Sequence, residues 1–143
     1  MTVREITRED IAEIARLEAE CFPDFWTVGQ LSGTFSRMDF CGVIAEEDGI
    51  ATGYLIGSSL FETAEIARIA VSENFRKRGI GKALVDGFSK LVKSRGAEKI
   101  LLEVRASNMP AQALYLGSGF TPFKVRKGYY VNGEDALEMV KTL

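Results

Sequence analysis

The chain has 143 residues, 46% hydrophobic and 27% charged, which suits one globular core and excludes a disordered polymer. Its net charge of -2 excludes an overall basic field that would draw in nucleic acid. It has no histidine, which excludes Ser-His-Asp and Cys-His nucleophilic catalysis and removes the commonest metal ligand, so no metal is expected.

Val3 to Ile6 reads as a first strand. Thr7-Arg8-Glu9-Asp10 reads as a capping-box helix start, with Asp where Glu or Gln is usual. Ile11, Ile14, Ala15, Leu17 and Glu18 follow at helical spacing, and Phe22-Pro23 stops that helix. A second helix is predicted from Val28 to Met38, weakened by Gly29 and Gly33. Phe40 to Glu46 and Ile50 to Leu60 read as strands around a three-residue turn, Glu47-Asp48-Gly49. Ala64 to Val71 is a further strand.

The period then changes. Ile80, Ala83, Leu84, Phe88, Leu91 and Val92 share one helical face, and Gly96 is a natural stop. Lys99 to Val104 is an apolar strand. Asn108 caps a further helix with Pro110 in its first turn and Gly119 past its end. Phe120 to Arg126 and Ala136 to Val140 complete a mixed α/β sheet of about seven strands with about four helices on both faces. The strands at 64–71 and 98–104 are expected to run parallel, and residues 1–143 to form a single domain.

No run of 18 apolar residues occurs, so no membrane span is expected. Met1 to Asp10 is charged throughout and lacks an apolar signal core, which predicts a cytoplasmic protein. Cys21 and Cys41 lack CxxC spacing and read as packing residues.

The most specific segment is Arg76-Lys77-Arg78-Gly79-Ile80-Gly81-Lys82, between a strand and a long helix. Its glycines let backbone N–H groups converge, and the helix start adds unpaired donors and a positive dipole end. A P-loop would need Gly at 76 and Ser or Thr at 83, where Arg76 and Ala83 stand. A dinucleotide fingerprint starting at Gly79 would need Gly or Ala at Leu84. The pattern Arg-x-x-Gly-x-Gly resembles the coenzyme A signature of GNAT acetyltransferases. The bland alternative is a solvated basic turn.

Further segments extend the resemblance in one order along the chain. They are Ile69-Ala70-Val71, Leu102 to Asn108, Ala113-Leu114-Tyr115 with Gly119-Phe120, and Arg126-x-Gly128-Tyr129-Tyr130 with Glu134-Asp135-Ala136. The last of these, with Cys21-Phe22-Pro23 and Trp26, resembles the RimI branch, which acetylates protein N-terminal amines. That group usually has Asn at Gly128 and a neutral residue at Arg68. A channel-facing Arg68 would disfavour basic peptides and put the ribosomal-protein substrate in doubt.

The resemblance implies acetyl-CoA as co-substrate and a protein N-terminus, such as that of a ribosomal protein, as acceptor, in a monomer or weak dimer. Ile69, Ala70 and Val71 would pair with the pantetheine arm, and Arg76, Lys77, Arg78, Gly79, Ile80, Gly81 and Lys82 would hold the phosphates. Asn108 would touch the arm, or act only as a helix cap. Glu103 would be the base: it stands in an apolar strand where burial would tune it, unless it is an edge carboxylate paired with Arg105 or a lysine. Tyr115 would be the acid, or else a core aromatic. An N–H of Ala70 or Val71 would stabilise the oxyanion. Trp26, Arg68, Tyr129 and Tyr130 would line the peptide channel, although the aromatics also suit an apolar lid. Lys124, Arg126 and Lys127 read as a solvated strand face. A lysine or small-molecule amine as acceptor, and a non-catalytic coenzyme A sensor, remain as alternatives.

Overall fold

The computed structural model describes residues 1–143. Strand β1 (Thr2–Glu5) leads through a short 3-10 turn into helix α1 (Ile11–Cys21). Asp10 accepts the Thr7 backbone N–H at 2.8 Å and two Arg4 guanidinium bonds at 2.9 and 2.8 Å. The Arg4 bonds are the main reason that the Asp10 carboxyl is held below the usual carboxylate range. A lowered folded-state pKa stabilises the fold above the unfolded value of about 4 and is lost as pH falls through the folded value. Asp10→Asn should therefore lower stability at pH 7 and weaken the fall in urea midpoint between about pH 5 and 3.

Helix α2 (Val28–Phe35) opens on a Thr27–Gln30 capping box. It ends three residues before the expected Met38 because Phe35 is its last buried residue, stacked on Phe40 at 4.3 Å, whereas Met38 is fully exposed. Strands β2 (Phe40–Glu47) and β3 (Ile50–Leu60) meet at a tighter turn than the sequence suggested. Glu47 pairs with Ile50, and only Asp48 and Gly49 turn, both with positive φ. That geometry matches the right-handed strand twist.

Then come β4 (Thr63–Val71), α3 (Ile80–Ser94), β5 (Lys99–Arg105), α4 (Met109–Gly117), β6 (Thr121–Arg126) and β7 (Ala136–Thr142). The sheet order is β1-β2-β3-β4-β5-β7-β6, antiparallel except for β4 and β5. The larger core lies between one sheet face and α3, with Leu84, Phe88 and Val92 against Val43, Leu55 and Ile100. The opposite face is covered by α1 and α2 through Ile14, Leu17 and Leu31 on Ile44, Tyr54 and Ile56. No helix is long and apolar enough to cross a membrane.

Two features of β4 create the site. Ile56 pairs with Arg68 but Gly57 pairs with Ile66, so Ala67 is an extra, bulged residue. A bulge reverses which face the following side chains take. It puts Arg68 and Ala70 on the α1 face and Ile69 and Val71 towards α3. Gly57 permits this crossing: a Cβ there would lie 2.1 Å from the Glu65 carbonyl oxygen and 2.8 Å from Phe88. Gly57→Ala should cost about 2–3 kcal/mol in urea unfolding, because the ladder must open.

The second feature is a splay. Strands β4 and β5 pair only at Thr63–Lys99, Ala64–Ile100 and Glu65–Leu101. Both run on, to Val71 and Arg105, paired with β3 and β7 but not with each other.

Candidate active site

The splay leaves the β5-facing edge of β4 without a neighbouring strand beyond Glu65. A cleft of about 780 Å³ opens there, lined by Ile69, Ala70 and Val71, by the loop before α3, and by α4 from Asn108 to Leu114. Unpaired strand edges offer N–H and C=O groups to an extended amide-bearing ligand.

At one end of the cleft, Lys77 and Gly79 have positive φ of 62° and 79° and turn the chain into α3. No side chain caps that helix. The first-turn N–H groups of Ile80, Gly81 and Lys82 therefore face outward into the cleft mouth, an arrangement suited to an anion. Arg76, Lys77, Gly79, Ile80, Gly81 and Lys82 all line the cleft. Arg76 also donates to the Val71 carbonyl at 3.0 Å. Arg78 departs from the expected set: it pairs with Glu47 at 3.0 Å and lies over Phe75, away from the cleft lining. Asn108 accepts the Ala111 N–H at 3.2 Å as a helix cap while also lining the cleft.

Tyr115 is buried on α4, its ring edge-on to Phe120 at 5.6 Å. Its hydroxyl makes no hydrogen bond within the chain and is not sealed from solvent. Burial pushes its pKa up to about 12, so it is fully protonated at neutral pH.

On the other side of the splay lies a concavity of about 470 Å³. Glu103 and Glu65 line it with Tyr129, Tyr130, Phe123, Arg126 and Glu138. The expected burial of Glu103 is not found; its side chain is 32% exposed. Alternation along β5 turns Leu102 and Val104 into the core and Glu103 to the α1 face, and α1 does not reach that far along the sheet. Its ionic neighbour is Arg126 at 3.8 Å, rather than Arg105 or a lysine. Arg126 also bonds Glu138 at 2.8 Å, and so separates two carboxylates placed directly opposite on β5 and β7. The Glu103 carboxylate pushes the Tyr129 pKa up.

Tyr129 and Tyr130 pack edge-to-face at 5.1 Å as one wall. Arg105 holds that wall by lying 3.9 Å over Tyr130 and pairing with Glu134 at 3.2 Å. Trp26 and Arg68 do not line this concavity. They stand together by the α1–α2 loop, with Arg68 3.8 Å over Phe22 and 4.9 Å over Trp26. Arg68 is engaged by Glu18 and Asp24 rather than free to face a channel.

Sequence reasoning missed Glu65, Phe123 and Glu138; Arg126 is exposed, as expected of a solvated strand face, but its contacts with Glu103 and Glu138 were not foreseen. Only the register of β7 against β5 and β6 brings Arg126 and Glu138 to Glu103. It also passed over Glu18, whose signal was an acid on the apolar face of α1.

The chain is similar to known proteins in sequence and in fold. The model of the acetyltransferase (GNAT) family matches residues 11–120. A Bacillus subtilis protein, whose name carries a [ribosomal protein bS18]-alanine N-acetyltransferase assignment as provisional, is 35% identical over 99% of this chain and 95% of its own length. An N-alpha-acetyltransferase of Saccharolobus solfataricus is 32% identical over 99% of this chain and 93% of its own. The crystal structure of the ribosomal-protein-S18-alanine N-acetyltransferase from Escherichia coli superposes with a TM-score of 0.89 at 26% identity, over 99% of this chain and 92% of that one.

Proposed function

The chain belongs to the acetyltransferase (GNAT) family and is an N-acetyltransferase, and from that premise we propose that residues 1–143 act as a single catalytic domain that acetylates the N-terminal α-amine of a protein. The observation that carries this reading is the splay of β4 from β5, with an amide-binding edge and anion loop on one side and an open carboxylate–tyrosine concavity on the other. The two substrates meet across the gap.

Acetyl-CoA supplies the acyl group. The edge of Ile69, Ala70 and Val71 holds its arm, and the N–H groups of Gly79 to Lys82 with the Lys77 and Lys82 ammonium groups hold its phosphates. Asn108 keeps its amide N–H free for the arm while its oxygen caps α4. The peptide enters past Tyr129 and Tyr130. Its α-amine, with an ordinary pKa of about 7.7–8.0, is mostly protonated at neutral pH. Glu103 removes that proton directly or through one water, an exposed carboxylate being accessible to both. An N–H of Ala70 or Val71 stabilises the carbonyl oxygen. Tyr115 gives its proton to the departing sulfur, and its raised pKa ensures that the proton is there to give.

A ribosomal-protein N-terminus of the kind acetylated by the Escherichia coli enzyme's namesake activity is a candidate acceptor. Arg68 raises no objection to a basic peptide, because its charge is matched by Glu18 and Asp24. The test is thiol release from acetyl-CoA on adding a short peptide beginning with Ala or Ser, against a diamine at equal concentration. Release with the peptide and little with the diamine is expected. The reverse would turn the reading towards a small-molecule amine.

A further inference from the structure

We propose that Arg68 is a positioning residue that locks the loop between α1 and α2, residues 22–27, as a preformed wall beside the two substrate sites. The loop has no regular structure of its own between Cys21 and Val28. Its position must come from contacts, and these converge on Arg68 and Glu18.

Glu18 is fully buried on α1. Its Oε2 accepts the Trp26 backbone N–H at 3.0 Å, and its Oε1 accepts the Tyr54 hydroxyl. The same Oε1 lies 3.0 Å from Arg68 Nε, whose N–H is aimed off the line, so that contact is ionic rather than a hydrogen bond. Arg68 then reaches the loop three ways. Its Nη2 lies 3.4 Å from the Asp24 carbonyl oxygen and 3.3 Å from the Asp24 carboxylate, and its plane stacks on Phe22 and Trp26. A guanidinium does this and an ammonium does not, since only the planar fork stacks and bonds at once. The Ala67 bulge is what turns Arg68 to this face.

The anchor bears on the site because Phe22 also lines the cleft beside Ile69, while Ala67, one residue before Arg68, lines the opposite concavity. A preformed wall spares the incoming peptide the cost of ordering the loop.

Trp26 is the only tryptophan in the chain, so its fluorescence reports this loop without a label. Arg68→Met alone strands a buried carboxylate and threatens the fold. The informative variant is therefore Glu18→Gln with Arg68→Met, which removes both charges while the Gln oxygen accepts the Trp26 N–H and the Gln amide NH2 donates to the Tyr54 hydroxyl. It should melt within a few degrees of the parent. Acrylamide quenching of Trp26 should rise about twofold, and the peptide KM about tenfold, exceeding any fall in kcat. Arg68→Lys should lie between, since it keeps the charge and loses the stack.

A folded double variant with Trp26 as protected as in the parent, or with the peptide KM unchanged, overturns the proposal. The kinetic arm rests on the N-terminal acetyltransferase reading and the quenching arm does not. If the parent acetylates no peptide, that reading has failed, and quenching alone then decides whether Arg68 holds the loop.

Discussion

Tyr115→Phe is expected to lower kcat by about 10²–10⁴-fold, the usual range for losing a general acid, while the folded protein stays intact. The two effects separate cleanly because of where the hydroxyl sits. The ring is buried against Phe120, but the hydroxyl has no partner in the chain. Removing it breaks no internal hydrogen bond and leaves the packing alone, so urea stability should move by no more than about 0.5 kcal/mol. A purely structural tyrosine predicts the opposite kinetics: equal stability and full turnover. Stopped-flow or steady-state thiol release with saturating acetyl-CoA decides between them.

The second large effect is at Glu103. Glu103→Gln should lower kcat/KM by about 10²-fold for a peptide substrate. Its side chain is partly exposed, with Arg126 at 3.8 Å and the Tyr129 hydroxyl as its polar neighbours, so the loss should appear mainly in rate rather than in stability. The pH profile supplies the sign. Only the neutral amine attacks, so kcat/KM should climb as pH rises and level off above about pH 8, where the α-amine has lost its proton. The acid, Tyr115, stays protonated until about 12. No descending limb is therefore expected between about pH 8 and 10. A fall in that interval would mean that some other group donates the proton.

The order of strands and helices was legible because hydrophobic period changes sharply at Val71 and again at Lys99. The turn into α3 was legible for a different reason: Gly79 announces a backbone geometry that other residues resist, and it has a positive φ. Failures came where a local pattern depends on a distant partner. Alternation in Lys99 to Arg105 correctly separates Leu102 from Glu103, yet it cannot tell whether the second face is covered. Helices α1 and α2 cover only the β2–β4 half, so Glu103 is exposed where an apolar run suggested burial.

The bulge at Ala67 was illegible for the same reason. It exists only as a register shift against β3, and it decides that Arg68 meets Glu18. Arg78 likewise reads as one of a basic cluster until Glu47, brought close by the fold, takes it.

The most direct test is to locate the transferred acetyl group. The protein is incubated with acetyl-CoA and paired peptides, one with a free first residue and one blocked at the N-terminus, both with an internal lysine, and the products are mapped by mass spectrometry. Acetyl on the free α-amine alone, lost in the blocked peptide and in the Glu103→Gln protein, is the result predicted. Acetyl on the lysine of both peptides would contradict it.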